Sequence, residues 1–388
     1  MTRSAFEARL VQHLFEAVFC SLAVMFLPVD PARSEAVVGT RPVIYRWDLD
    51  KTYLRTEFDT FRDLLRTAFE SPDRKKTVPG AGALLRELCR NDLAGVFILS
   101  GSPEQMRRVL EAKLRLDGIH WDSFTLKPSL QNLLRGRFRF LKDQVYYKLT
   151  SLLSSRAGCD PQTAEVLFGD DAEADAFIYS LYADLCAGRV GNDTLMAVLR
   201  RARVYEDEVP RIVRMASNLP RGDSVRRILI HLDRTSSPEM FAEFGPRVVP
   251  FYNYFQAALC LVDDGMLTPD AALRVGVQIV IQHAFTPDAL IASFMELAER
   301  ECAFKETAEQ LLMAAPPVSE RYAADALQEF MTGLEEHIGT LPARTSMEDV
   351  SPTHSAEDRP VLDYVDLFSR DSDRARAARR RAKWRPKL

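Results

Sequence analysis

The sequence predicts an α/β protein: a doubly wound, Rossmann-like parallel sheet with an added C-terminal helical region. Short apolar runs, of the kind that parallel sheets bury on both faces, alternate with segments of helical periodicity up to Leu232. Each intervening helix can carry the chain back to begin the next parallel strand. Polar side chains follow three of the runs, at the carboxyl ends where doubly wound sheets bind their ligands.

The elements follow this order along the chain. We predict strands at residues 43–46, 95–99, 123–126, 165–168 and 227–232. Between them we predict helices at 57–69, 80–89, 104–115 and 149–156 and a longer helical section at 176–219. Five further amphipathic helices follow, at 254–262, 269–283, 287–299, 306–313 and 323–337. The predicted sheet domain spans residues 41–260, and a helical region that packs on or beside the sheet spans 261–340.

Composition indicates an ordinary globular protein. Of 388 residues, 47% are apolar and 27% are charged, and the net charge of −4 argues against a nucleic-acid surface over the whole molecule. Six cysteines are scattered without C-x-x-C spacing. This pattern favours reduced thiols in a cytoplasmic protein over disulfides or a zinc site.

Both ends of the chain differ from the middle. Residues 1–40 are predicted as an N-terminal helix and linker, because the apolar stretch 14–27 is too short to span a bilayer and contains Glu16. A signal peptide or peripheral membrane contact is the alternative. Residues 341–388 are predicted as a polar linker and a basic disordered tail, for which contact with anionic lipid or nucleic acid is the alternative.

The first predicted strand ends in two acidic residues, Asp48 and Asp50. In an extended segment, side chains two residues apart point the same way, so both carboxylates can face one pocket. Their mutual repulsion requires either a bound cation or a proton on one of them. Both solutions suit phosphoryl transfer, the first with a carboxylate nucleophile at a metal and the second with a general acid.

Two other strand ends add polar groups that such a site needs. Ser100 and Gly101 follow the second strand and precede a helix start, where a phosphate would meet free backbone N–H groups. Asp170 and Asp171 follow the fourth strand, with Asp175 shortly after. The carboxyl ends of parallel strands meet at one edge of a sheet, so we expect these groups to converge.

These motifs, together with Lys148, resemble in order and spacing the four motifs of haloacid-dehalogenase-superfamily phosphatases. The segments 99–103 and 169–179 further resemble the catalytic domain of the actin-patch-associated phosphatidate phosphatases. The resemblance covers residues 42 to 232. It departs from the family pattern at Arg46 and Trp47, which stand where small or apolar residues are usual.

The resemblance implies a Mg²⁺-dependent phosphomonoester hydrolase that acts through an aspartyl phosphate. Asp48 would be the nucleophile and Asp50 the general acid and base, oriented by Thr52. Ser100, Gly101 and Lys148 would bind the phosphoryl oxygens, with Lys142 as the alternative lysine. The implied Mg²⁺ ligands are Asp48, the backbone carbonyl of Asp50 and Asp170, supported by Asp171 or Asp175.

The expected partner is a phosphorylated substrate, with a lipid phosphate such as phosphatidate favoured. The short region between Thr52 and Val96 leaves little space for a large cap, and an open site accepts a bulky or surface-bound substrate. A phosphatase of soluble or protein phosphates is one alternative. The other is a catalytically inactive binding or scaffold protein that works through its helical region and tail.

Overall fold

The computed structural model describes residues 43–50, 52–54, 77–90, 94–127, 140–172, 174–233, 236–283, 285–319, 324–344 and 362–370. The predictions for residues 1–40, for a helix at 57–69 and for the basic stretch after residue 373 lie outside the described residues.

Six parallel strands of the described chain form one sheet in the order β3-β2-β1-β4-β5-β6. The strands are β1 Val43–Asp48, β2 Ala94–Pro103, β3 Ser123–Lys127, β4 Ala164–Asp170, β5 Val225–His231 and β6 Val248–Phe251. The strand order reverses direction between β1 and β4, which makes this pair the switch point where doubly wound sheets bind ligands. The predicted α/β class and parallel sheet are confirmed.

Helices cover both faces of the sheet. They are α1 Ala81–Cys89, α2 Arg107–Leu116, α3 Phe140–Arg156, α4 Asp175–Cys186, α5 Asn192–Arg201, α6 Val209–Ser217, α7 Tyr254–Asp263, α8 Pro269–His283, α9 Pro287–Glu299, α10 Lys305–Ser319, α11 Ala324–His337 and α12, residues 364–370. Buried side chains of α1, α2 and α7 to α11 form one apolar cluster with one face of the sheet. Those of α3 to α6 and α12 form a second cluster on the opposite face.

The C-terminal helices share their core with the sheet. Trp47 of β1 stacks on Phe168 of β4, with ring centroids 3.9 Å apart and planes inclined by 16°. On its other side Trp47 stacks on Tyr254 of α7 at 5.6 Å and 15°. A continuous aromatic stack therefore joins the central strands to the first of the C-terminal helices.

Some elements differ from the sequence-based expectation. Strand β6 was not predicted, because it is only four residues long and contains Pro250, which is unfavourable in a sheet interior. It lies at the sheet edge, where a missing N–H is tolerated. Helix α3 begins at Phe140, so Lys148 lies within the helix and does not open it.

The segment after residue 341 is not wholly a linker and tail. Residues 364–370 form a helix in which Tyr364, Leu367 and Phe368 are buried. The Tyr364 and Phe368 rings contact the ring of Phe177 on α4, at centroid distances of 5.8 and 5.6 Å. These apolar residues lie between two polar stretches of sequence. The polar composition of residues 341–388 as a whole therefore did not indicate the helix.

The five cysteines in the described ranges are free thiols. No described helix is both long enough and apolar enough to cross a membrane.

Candidate active site

Three carboxylates meet at the switch point of the sheet. Asp48 is the last residue of β1, Asp170 is the last residue of β4, and Asp175 is the first residue of α4. Each is at most 1% exposed, and one oxygen from each lies within 4.8 Å of the others. Three buried carboxylates this close repel one another strongly unless cations accompany them.

Gly169 makes the approach of Asp175 possible. A side chain at this position would place its Cβ only 2.6 Å from Asp175 Cβ, a distance that real atoms do not adopt. The Asp175 Oδ2 atom accepts a hydrogen bond of 3.1 Å from the backbone N–H of Asp170. The glycine therefore allows the start of α4 to pack against the end of β4 and brings Asp175 into the cluster.

Lys148 supplies positive charge to this cluster. Its Nζ atom lies 3.2 Å from Asp48 Oδ1 and forms an ion pair with Asp175, and all three side chains are fully buried. One ammonium group facing three carboxylates leaves the cluster net negative. Clustered carboxylate oxygens with excess negative charge are the donor set that Mg²⁺ prefers, so the residues present fit a divalent hard cation.

Asp50 lies in a different environment from Asp48. Its Oδ2 atom accepts a hydrogen bond of 2.8 Å from Ser100 Oγ, and both of its oxygens lie 3.2 Å from Ser102 Oγ. The Ser102 backbone N–H donates to Ser100 Oγ at 3.0 Å, which orients the Ser100 hydroxyl towards Asp50. The carboxylate of Asp50 is thus held by hydroxyl groups, whereas that of Asp48 faces an ammonium group.

Thr52 contacts the first carboxylate. Its hydroxyl donates to Asp48 Oδ2 at 3.4 Å, and the expectation that Thr52 orients Asp50 stays a prediction. The Thr52 backbone carbonyl accepts a hydrogen bond from the buried hydroxyl of Tyr254 on α7. Through this bond a C-terminal helix fixes the loop that follows Asp50, a contact that sequence reasoning missed because the two residues are 202 positions apart.

The structure places Asp171 outside the carboxylate cluster. Its Oδ2 atom accepts a hydrogen bond of 3.1 Å from the Ser236 backbone N–H, and its own N–H donates to the His231 carbonyl at 3.0 Å. Asp171 therefore joins the end of β4 to the segment after β5. Of the two acids expected to support the metal ligands, Asp175 is the one that lies beside them. The Lys142 side chain is outside the described part of α3.

Tyr147 is a neutral hydrogen-bond donor beside the acids. Burial is the main cause that raises the pKa of its phenol, and the negative charge of Asp48 raises that pKa further. The hydroxyl donates to the Thr125 carbonyl at 3.0 Å. This bond ties α3 to β3 on the side of the site opposite β4.

Arg46 and Trp47, the residues that depart from the expected motif, are both buried. Trp47 belongs to the aromatic stack described above. The Arg46 guanidinium forms an ion pair with Glu165 and donates to Ser155 Oγ at 2.5 Å. Arg156 also pairs with Glu165, at 3.0 Å. The two unusual residues thus have partners on opposite faces of the sheet.

The spatial convergence of these motifs agrees with a comparison with protein families. Residues 47–192 match the family of the phosphatidate phosphatase APP1 catalytic domain. The chain therefore resembles the actin-patch phosphatidate phosphatases in this region, as its motifs predict. The match includes all the predicted site residues and ends at the start of α5, so β5, β6 and the C-terminal helices lie outside it. Comparisons with curated proteins and with solved structures gave no match.

Proposed function

We propose that this protein is a Mg²⁺-dependent phosphomonoester hydrolase that acts on phosphatidate or a related lipid phosphate through an aspartyl phosphate at Asp48. The family match supports phosphatidate phosphatase-like activity. The observation that carries the proposal is the buried cluster of Asp48, Asp170, Asp175 and Lys148 at the switch point, inside the matched region.

The metal would be held by carboxylate oxygens of Asp48, Asp170 and Asp175 together with the backbone carbonyl of Asp50 that the resemblance implies. When bound, Mg²⁺ would polarise the phosphoryl group and neutralise part of its charge. The remaining chemistry belongs to the side chains of this chain.

In the first step, an Asp48 carboxylate oxygen forms a bond to phosphorus while the bond from phosphorus to the alcohol oxygen breaks. Asp50 gives its proton to that alcohol oxygen, and the hydroxyl groups of Ser100 and Ser102 hold it in position. Lys148 stabilises the negative charge of the phosphoryl group beside Asp48.

In the second step, Asp50 accepts a proton from water, whose oxygen forms a bond to phosphorus. The bond between phosphorus and Asp48 breaks, which restores the Asp48 carboxylate and releases inorganic phosphate. The same acid therefore donates and then accepts a proton, and its hydroxyl partners can adjust to both states because a hydroxyl group donates and accepts.

The proposal is tested by phosphate release from phosphatidate in mixed micelles, beside a panel of sugar, nucleotide and aryl phosphates. We expect Mg²⁺-dependent release by the wild type, loss of at least 100-fold with Asp48→Asn or Asp50→Asn, and wild-type rates with Asp193→Asn, an exposed acid on α5. If the wild type turns over substrate no faster than Asp48→Asn over a range of pH and metals, the phosphatase proposal is rejected and a catalytically inactive scaffold protein is favoured. Preference for the soluble panel would reject the lipid substrate.

Metal binding is measured separately from turnover. Mg²⁺ at 100 times its dissociation constant should stabilise the wild type by about 2.7 kcal/mol in thermal unfolding. Asp170→Asn removes one of three clustered carboxylates and should abolish most of this gain, whereas Asp193→Asn should keep it. An equal gain for both variants would place the metal elsewhere.

A further inference from the structure

A polar side chain on α3 borders the site without taking part in the hydrogen bonds described above. Gln144 precedes Lys148 by four residues, which places the two side chains on the same face of the helix. Lys148 points at Asp48, so Gln144 lies on the side of α3 that faces the site. Helix α3 follows β3 in a parallel crossover and therefore begins at the carboxyl edge of the sheet, so Gln144 is about 6 Å nearer that edge than Lys148.

The Gln144 amide lies close to the general acid. A methyl group built on Gly101 would be 3.8 Å from Gln144 Nε2 and 4.0 Å from Asp50 Oδ2. Gly101 carries no such group, so the amide and the carboxylate border the same small space above the glycine. This space borders Asp50, the acid to which the proposed function assigns proton transfer with the alcohol and with the attacking water.

The amide oxygen of Gln144 is a buried acceptor that the described residues leave unbonded. Gln144 Oε1 is buried and has no hydrogen-bond partner in the described part of the chain. A buried carbonyl oxygen without a donor is unfavourable, and such exceptions in folded proteins call for an explanation. The Nε2 atom is the one nearest the space above Gly101, so a half-turn of the terminal amide would turn Oε1 towards a water or substrate that enters there, and that molecule would supply the missing donor.

We propose that Gln144 positions the water that hydrolyses the aspartyl phosphate; this inference rests on the function proposed above. Water has two O–H groups, and a base needs only one of them. One proton goes to the Asp50 carboxylate as the water oxygen bonds to phosphorus and the bond to Asp48 breaks. The other O–H donates to Gln144 Oε1, which fixes the direction of the oxygen lone pair towards phosphorus.

This assignment makes Gln144 a positioning residue for the second step alone. The first step needs Asp48, the proton of Asp50 and no water. A change at Gln144 should therefore slow hydrolysis of the phosphoenzyme and leave its formation intact. Slower breakdown of a covalent intermediate lowers kcat and KM together and leaves kcat/KM unchanged.

The test is rapid-quench kinetics with phosphatidate or an aryl phosphate on Gln144→Leu, which has similar bulk and no acceptor. We expect kcat to fall about 10- to 100-fold. KM should fall in proportion, kcat/KM should stay within threefold, and a burst of product approaching one equivalent per site should appear. Acid quenching should trap the corresponding phosphoenzyme. Tyr146→Phe on the same helix should match the wild type in all five measurements.

Gln144→Glu provides a second variant that keeps an acceptor oxygen. Its carboxylate oxygen can accept the second O–H of the water as the amide oxygen does. We expect partial recovery of kcat relative to Gln144→Leu, with kcat/KM still within threefold of the wild type. A kcat no higher than that of Gln144→Leu would overturn the acceptor role.

The outcomes separate this inference from the proposed function. Loss of kcat/KM with Gln144→Leu and no trapped phosphoenzyme would assign the residue to substrate binding and overturn the inference. Unchanged kcat would overturn it as well. Absence of turnover and of phosphoenzyme in the wild type would instead overturn the proposed function. Thermal unfolding within a few degrees of the wild type shows that each variant is folded.

Discussion

Lys148 and Asp175 form an ion pair that is closed to solvent, and the same ammonium group lies 3.2 Å from Asp48. The pair joins α3 to the start of α4, two helices whose approach creates the wall of the site. Because both groups are buried, removal of one leaves the other as a charge that water cannot solvate, which costs free energy of folding. The residues that perform the proposed chemistry therefore also bear on stability.

The first prediction concerns Lys148→Met, which keeps much of the side-chain length and removes the charge. Without metal, we expect a loss of about 3–5 kcal/mol in the free energy of unfolding, because Asp48 and Asp175 lose their cation. Activity should fall by a factor of about 100–1,000 even where the variant is folded. Chemical denaturation and initial rates measure the two effects, and Lys113→Met, whose partner Asp117 is partly exposed, is the matched control. A fully stable Lys148→Met protein would contradict the buried pair.

A second prediction addresses Glu165, which stands between two arginines. It pairs with Arg46 and Arg156 and accepts a hydrogen bond of 2.9 Å from Tyr182. Glu165→Gln leaves two buried guanidinium groups without a counter-charge, so we expect destabilisation of about 3–5 kcal/mol. Urea denaturation measures it. Glu239→Gln, at an exposed position, should stay within about 0.5 kcal/mol of the wild type. If Glu165→Gln changes the free energy of unfolding as little as Glu239→Gln does, Arg46 and Arg156 have other acceptors in the variant.

Helix α12 gives a third prediction. The Tyr364 hydroxyl donates to Asp184 Oδ2 at 2.6 Å, and both residues are buried. Tyr364→Phe keeps the ring contact with Phe177 and removes only this bond, at an expected cost of about 1–3 kcal/mol. Tyr252→Phe, at an exposed tyrosine, should cost nothing measurable. Equal stability of the two variants would mean that residues 364–370 do not dock on α4 in solution.

The fourth prediction is a pH dependence. Burial, with a smaller contribution from Glu165, raises the pKa of the Cys186 thiol to about 12. The folded state therefore holds this proton more tightly than the unfolded state, in which a thiol ionises near pH 8.5. The resulting stability is complete below the unfolded pKa and is lost as pH rises towards 12, by up to about 1.4 kcal/mol per pH unit.

Cys186→Ala isolates this contribution from the tyrosines and other thiols that titrate in the same range. The variant should be less stable at pH 7, because it leaves a small cavity, but its stability should fall less steeply between pH 9 and 11. Urea denaturation at several pH values gives the comparison. If the free energy of unfolding falls equally steeply with pH in Cys186→Ala and in the wild type, the raised pKa of Cys186 is contradicted.

The sequence was sufficient to predict the parallel sheet and the strand ends that carry Asp48, Ser100 and Asp170. Their signals are local, because an apolar run bounded by polar residues defines a buried strand and its carboxyl end. Several C-terminal helices were equally clear, and α8 and α9 have the predicted bounds. Periodicity and proline at a helix start account for that success.

Other features depend on contacts between distant residues and have no local signal. Ser102 looked like part of a helix start, yet its hydroxyl reaches Asp50 because β2 continues to Pro103. Tyr254 looked like one more apolar helix residue until its hydroxyl was found on Thr52. Gln144 precedes the helix predicted at 149–156 and lies in a helix only because α3 begins at Phe140. Side-chain direction and tertiary pairing determine these three roles, and neither follows from composition.

The aromatic stack of Phe168, Trp47 and Tyr254 makes the packing of β1 and β4 depend on a helix that follows them far along the chain. The region of family resemblance ends at residue 192, but Tyr254 lies beyond it, and β4 pairs along its length with β5, which also lies beyond it. A fragment cut at the limits of the resemblance would expose one edge of β4 and the outer face of Trp47 to water. Limited proteolysis should accordingly leave β1, β4 and α7 protected together.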